Sequence, residues 1–238
     1  IPLPPGKIKT SMKRLLIFAA LIAAGTLPGR ELTANLACSS FSTPDNKTYV
    51  ETYISIIGNS VNYVKNPGGK FQAAVDIVMT FTSYDSIRSA QRYVLNSPEI
   101  TDTSKAENFL DLQRVTLPAG LYTLQVIFTD LNRNPQKPMM NRKTVTVDID
   151  KDSLSLSQIE FLETYYASKS QSILTKSNYE LVPYVSAFFP PNLSQLNFYG
   201  EIYNSTKVLK PDEKFLVLYY IESAVTGNKM SGFSSFIE

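Results

Sequence analysis

The sequence predicts an all-β protein: two immunoglobulin-like β-sandwich domains in tandem behind an N-terminal signal peptide. Three observations carry this. Apolar and polar residues alternate through one short segment after another, Pro, Gly and Asn mark the breaks between them, and a single apolar run near the start follows a basic pair. Composition narrows the chemistry. The 238 residues hold 23 Lys and Arg against 21 Asp and Glu, a formal net charge of +2, which speaks against a strongly cationic nucleic-acid binder. With 43% hydrophobic residues the chain can bury a core. It has no His and one Cys, which removes Ser-His-Asp and Cys-His nucleophile pairs, His-based zinc sites and any intramolecular disulfide.

Met12-Lys13-Arg14 supplies a start and a positive n-region, and residues 15–25 form the apolar stretch of a signal peptide, too short for a stable membrane span. The expected signal peptide is 12–37, with the mature chain starting between Ala34 and Cys38. Residues 1–11 lie upstream of the initiator-like Met and are expected to be an artefactual extension. Cys38 is a candidate for lipidation because Ala37 precedes it, although Asn35 stands where a lipoprotein signal places Leu. The alternative is an ordinary free thiol.

From there the pattern is β. Tyr49 to Ile57 places Val50, Thr52, Ile54 and Ile56 on one face and Tyr49, Glu51, Tyr53 and Ser55 on the other. Gly58-Asn59 is expected to turn this strand into a hairpin with Val61 to Val64. Phe71 to Thr82 reads as one long strand with Phe71, Ala73, Val75, Ile77, Met79 and Phe81 in phase. Strands follow at Ile87 to Leu95, Leu110 to Leu117, Leu121 to Phe128 and Thr144 to Ile149. About seven strands with turns between them suit a first sandwich domain over 45–150. Asp150 to Ser153 is the expected linker, and new β segments at Leu154 to Phe161, Tyr179 to Phe189, Leu196 to Asn204 and Phe215 to Ser223 suit a second domain over 154–238. Phe233 and Phe236 open a further apolar segment at the end, so the second domain is expected to be truncated.

Several segments resemble a known family. Residues 109–114 (FLDLQR), 117–124 (LPAGLYTL) and 129–132 (TDLN) look like the first domain of GWxTD-domain-containing exported proteins of the Bacteroidetes. Residues 172–176 (SILTK), 181–186 (LVPYVS), 189–191 (FPP), 198–204 (FYGEIYN) and 219–223 (YYIES) are similar to the second, in the same order. The likeness runs from about Tyr49 onward. It implies export to the cell envelope and brings no established enzymatic role to carry over. The Gly-Trp-x-Thr-Asp motif itself is absent, and the chain has no Trp.

Candidate sites are few. Asp148, Asp150 and Asp152 alternate like the first ligands of a calcium loop, but Ser153 and Ile159 occupy the Gly and twelfth positions, which favours a solvated linker. Glu201 and Glu222 are the pair that adjacent strands would bring together as glycosidase-type carboxylates, set against two exposed strand acids. Lys176 with Ser172 or Ser177 has the composition of a Ser-Lys pair, but spacing alone says little. Ser86 and Ser153 stand in Asp-Ser-aliphatic tripeptides resembling the O-glycosylation acceptor of exported Bacteroidetes proteins. Sequons at Asn46, Asn192 and Asn204 carry less weight in a bacterial envelope. Tyr165-Tyr166, Tyr199, Tyr203 and Tyr219-Tyr220 either line a groove or pack across strands. Taken together, the sequence predicts no catalytic residue, no metal and no cofactor, in a binding or scaffold module exported to the periplasm or cell surface. The expected partner is another envelope protein, without nucleic acid, and with membrane association only through an acylated Cys38. The alternative is a carbohydrate-active enzyme or its carbohydrate-binding accessory domain.

Overall fold

The computed structural model describes residues 31–237, with side chains through Met230. The apolar run at 15–25 that reads as a signal peptide, and the expected artefactual extension at 1–11, lie outside these residues. Among them the chain is all-β and β-sandwich-like. Its first region contains β1 (Ala34–Ser42), β2 (Thr48–Ile56), β3 (Val64–Lys65), β4 (Phe71–Gln72), β5 (Ala74–Ser83), β6 (Ser86–Asn96), β7 (Phe109–Thr116), β8 (Gly120–Asp130) and β9 (Met139–Val147). The rest contains β10 (Ser155–Leu156), β11 (Glu160–Ala167), β12 (Thr175–Lys176), β13 (Tyr179–Pro183), β14 (Asn197–Tyr199), β15 (Ile202–Tyr203), a one-turn helix α1 (Ser205–Val208), β16 (Val217–Glu222) and β17 (Lys229–Ile237).

Two antiparallel sheets make the first region, β1-β2-β7 and β6-β5-β8-β9. Their facing sides share one core. Val50, Ile54 and Ile56 of β2 and Val115 of β7 pack with Val75, Ile77, Met79 and Phe81 of β5 and with Leu124, Val126 and Phe128 of β8. The alternating side chains of β5 are sequestered because a strand's period of two turns every second residue to the same face. Burying side chains of this size stabilises the fold by about 1.5–3 kcal/mol each relative to leaving them exposed.

The structure departs from expectation in four places. The β fold begins well before residue 45: β1 pairs with β2 along its whole length, Ala34 opposite Ile56 through Ser42 opposite Thr48, and Leu32 is buried in the core. The small residues of β1, Ala-Asn-Leu-Ala-Cys-Ser-Ser, read as a processing region in sequence but suit a strand packed on both sides. The expected processing window thus falls inside a strand. Second, Gly58-Asn59 makes a 3₁₀ turn and no hairpin, and β3 pairs with β4. Gly58 is required there because a Cβ would lie 2.0 Å from the Glu107 carbonyl oxygen. Third, the long strand expected from Phe71 is interrupted at Ala73, whose N–H is taken by the Ser97 hydroxyl at 3.0 Å. Fourth, Tyr179 to Phe189 and Leu196 to Asn204 are not continuous strands, since β13 stops at Pro183 and the second segment splits into β14 and β15.

The outer side of β1-β2-β7 is covered as well. Glu51, Tyr53 and Ser55 are as buried as the apolar face of the same strand. What covers them is the chain after residue 155. Leu174 and Val185 pack on Ala37, Tyr53 and Leu112 in a small apolar cluster, and main-chain groups join at the rim. Ser40 donates its N–H to Gln158 Oε1 at 3.0 Å, Gln158 donates its own N–H back to Ser40 at 3.2 Å, and Ser39 Oγ donates to the Ile159 carbonyl at 3.0 Å. The sheet order β12-β13-β11-β14 sets this covering layer, while β10 pairs with β15 and β16 with β17.

Candidate functional site

The densest set of ionisable side chains lies at this covered face. Glu51 sits at the centre of β2, directly opposite Arg114 of β7 in the ladder, and Arg114 Nε donates to Glu51 Oε1 at 2.7 Å. Two residues along the same face, the Tyr53 hydroxyl donates to Glu51 Oε2 at 2.6 Å. From the covering layer, Lys176 of β12 brings its ammonium to 2.5 Å from Glu51 Oε2 and 2.9 Å from Glu160 Oε2 at the start of β11. The side chains of Glu51, Glu160 and Lys176 are 0%, 2% and 9% exposed.

Aromatic rings close the site. Lys176 Nζ lies 3.6 Å from the centroid of the Phe41 ring and 5.1 Å from that of Tyr199. Tyr199 arrives because β14 pairs with β11 and sets it opposite Glu160. An ammonium over ring faces is attracted by their quadrupoles, more strongly when water is excluded. Burial pushes the Glu160 carboxyl above the usual carboxylate range, with the nearby Lys176 ammonium opposing it. Burial likewise raises the Tyr53 phenol, reinforced by the Glu51 and Glu160 carboxylates. Alongside, Glu201 accepts from the hydroxyls of Tyr199 at 2.8 Å and Tyr203 at 2.5 Å, and the Ser42 N–H is donated to the Tyr203 oxygen at 2.9 Å.

The arrangement keeps its reactive groups for one another. It combines a nucleophile-bearing Lys, two buried carboxyl groups and a guanidinium, with Glu51 bonded to Arg114 and Lys176, and Lys176 also to Glu160. A polar cleft of about 350 Å³ lies beside Ser168, Thr175 and Asn178.

The Ser-Lys pair to which spacing gave little weight does not form. Ser172 donates its hydroxyl to Glu180, and Ser177 contacts the Tyr199 hydroxyl at 3.2 Å. Glu201 and Glu222 do not share adjacent strands: β15 pairs with β10, whereas β16 forms its own two-stranded sheet with β17. Asp150 accepts from the Asp152 N–H at 2.8 Å and from Ser153 Oγ at 2.6 Å, Asp152 pairs with Lys207 at 2.6 Å, and Asp148 is exposed, so the acids of the linker do not converge. Among the described residues no cluster of acids, Cys or His could hold a metal ion. Cys38 lies mid-strand opposite Thr52, packed against the core, and burial raises its thiol. Ser86 is exposed at the tip joining β5 to β6, where Tyr84 and Asp85 take left-handed backbone, and Ser153 is exposed in the linker. Glu51 and Glu160 were missed. Their one sequence signal was an acid inside an apolar strand segment, Glu51 between Val50 and Thr52 and Glu160 between Ile159 and Phe161.

A different surface is open. The outward face of β11 and β14 carries Phe161 and Phe198, paired across the ladder and 41% and 43% exposed, whereas the register shift between Leu162 and Thr164 puts Tyr165 and Tyr179, exposed at the far end of the sheet, on the same side as Leu181. Phe161 packs edge-on against Phe189, which stacks on Tyr184 at 5.0 Å, and Tyr165 meets Tyr179 edge-on. No helix among the described residues is long and apolar enough to cross a membrane. Comparison with protein-family models, curated proteins and solved structures finds no match for the chain.

Proposed function

We propose that this protein is a non-catalytic binding or scaffold module of the cell envelope, made of two immunoglobulin-like units and exported by its N-terminal leader. The observation that carries the reading is the division of labour between its faces. Its ionisable groups of greatest chemical potential are consumed in a buried junction, while an aromatic face of the second region is left uncovered. Clustered exposed rings of this kind favour contact with another macromolecule. The resemblance to GWxTD-domain-containing exported proteins supports the same destination, with another envelope protein as partner. Export then puts processing upstream of Leu32, since β1 has to be retained for β2 to be covered on both sides.

The test uses the full protein in its native envelope. The triple variant Phe161→Ser, Phe189→Ser, Phe198→Ser is expected to fold and be exported but to lose the proteins that co-purify with the parent chain. Unchanged co-purification would refute the aromatic face as the contact. The exposed rings also suit a carbohydrate-binding accessory domain. Retardation in a gel containing an envelope polysaccharide, abolished by the triple variant, would favour that second reading.

A further inference from the structure

The geometry points to an intramolecular isopeptide bond between Lys176 Nζ and Glu51 Cδ, formed autocatalytically with Glu160 as the proton shuttle. Three features of the junction support it. Glu51 Oε2 already accepts from Lys176 Nζ at 2.5 Å, which holds amine and carboxyl together with little freedom to lose. Arg114 on Oε1 and the Tyr53 hydroxyl on Oε2 are placed to stabilise negative charge that develops on the carboxyl oxygens during attack. Glu160, at 2.9 Å from the same nitrogen, is a second carboxyl whose burial makes it a better proton acceptor than a solvated one.

The reaction balances without oxidant or cofactor. One ammonium proton passes to Glu51 Oε2, leaving a neutral amine beside a neutral carboxyl group. The nitrogen lone pair attacks Glu51 Cδ and the C–N bond forms. A second proton passes from nitrogen to Glu160 and on to the Glu51 Oε2 hydroxyl, whose C–O bond breaks to release water. The third proton stays on the amide nitrogen, and Glu160 is regenerated. In open water an ammonium and a carboxylate are solvated and hydrolysis is favoured. Here both are stripped of solvent, and the Phe41 and Tyr199 rings limit the return of water.

The bond would close a sequence separation of 125 residues and sew the covering layer to β2. It is independent of the export reading, because the reaction needs only the folded chain. The test is the mass of the purified full chain and of its tryptic peptides. Expected is a chain lighter by one water than its sequence, with cleavage blocked at Lys176 and peptide 48–65, whose one acid is Glu51, joined to peptide 170–207. Lys176→Arg should restore the full sequence mass, and Glu160→Gln should slow or abolish linkage. A parent chain at its full sequence mass with free peptide 48–65 overturns the inference, whether or not the variants fold. Linkage to peptide 152–169 overturns the choice of Glu51, and undiminished linkage in Glu160→Gln overturns the shuttle.

Discussion

The two regions of this protein are held by different physics. Before residue 150, two sheets close on a continuous apolar core in which Phe81, Leu124, Val126 and Phe128 are almost wholly buried. After residue 150, Leu162, Leu181, Pro183 and Val185 are the buried apolar side chains among the described residues, and the region is fixed to its neighbour by the Glu51, Lys176 and Glu160 cluster and a rim of hydrogen bonds. The difference teaches why a polar junction matters here. Apolar packing is tolerant of direction, whereas a buried ion cluster is satisfied in one geometry only, and any other docking of the second region would leave charges desolvated and unpaired.

The comparison is broken most directly by removing one support from each side. Phe128→Ala should cost about 3–5 kcal/mol, because the cavity lies between two sheets that cannot both collapse onto it. Denaturant unfolding followed by tyrosine fluorescence would show the midpoint fall. Measured against the chain before any Lys176–Glu51 bond forms, Lys176→Met should cost a similar amount, about 3–5 kcal/mol, since Glu51 and Glu160 would stay buried with only the half-exposed Arg114 nearby. Adding Glu160→Leu should recover part of that loss by removing an unpaired charge. A cost for Lys176→Met below about 1 kcal/mol, the range of a solvated surface pair, would mean that the junction is open to water.

Hydrogen exchange sharpens the contrast at smaller amplitude. Amides of β5, paired on both sides by β6 and β8, should exchange only on global opening, while those of the two-stranded β16–β17 hairpin exchange by local opening, faster by at least an order of magnitude. Equal protection would place both regions in one cooperative unit.

The smallest effect belongs to the exposed turn between β1 and β2. There hydrogen bonds from Lys47 and Thr43 hold the Asp45 carboxyl down at about 2. A lowered carboxyl adds stability above its ordinary range, and that contribution is lost as pH falls from about 4 toward 2. Asp45→Asn should remove this acid dependence and leave neutral-pH unfolding nearly unchanged, as carboxyl NMR titration and acid unfolding would record.

Much of the fold was legible locally. Alternation placed β5, β6, β7 and β8 within a residue or two at most ends, because a period of two is a property of consecutive residues and needs no knowledge of the partner strand. The start of β9 at Met139 was missed because Asn, Arg and Lys interrupt the alternation on an edge strand with a solvated face. β1 was missed for the opposite reason: its small residues fit between two covered surfaces and leave no amphipathic signature. The break in alternation at Asp150 to Ser153 was legible as well, where acids and hydroxyls satisfy one another in an exposed turn.

The site was not legible in the same way. By itself the sequence determined an all-β chain without His or intramolecular disulfide chemistry. Only the tertiary structure decided that Glu51, on what reads as the polar face of its strand, is fully buried, and that Lys176 meets it across 125 residues of chain. Alternation reports which residues share a face, while the burial of that face depends on what a distant segment lays upon it. A charge pair likewise carries no local periodicity, so its partners are fixed only when two separately formed sheets come together.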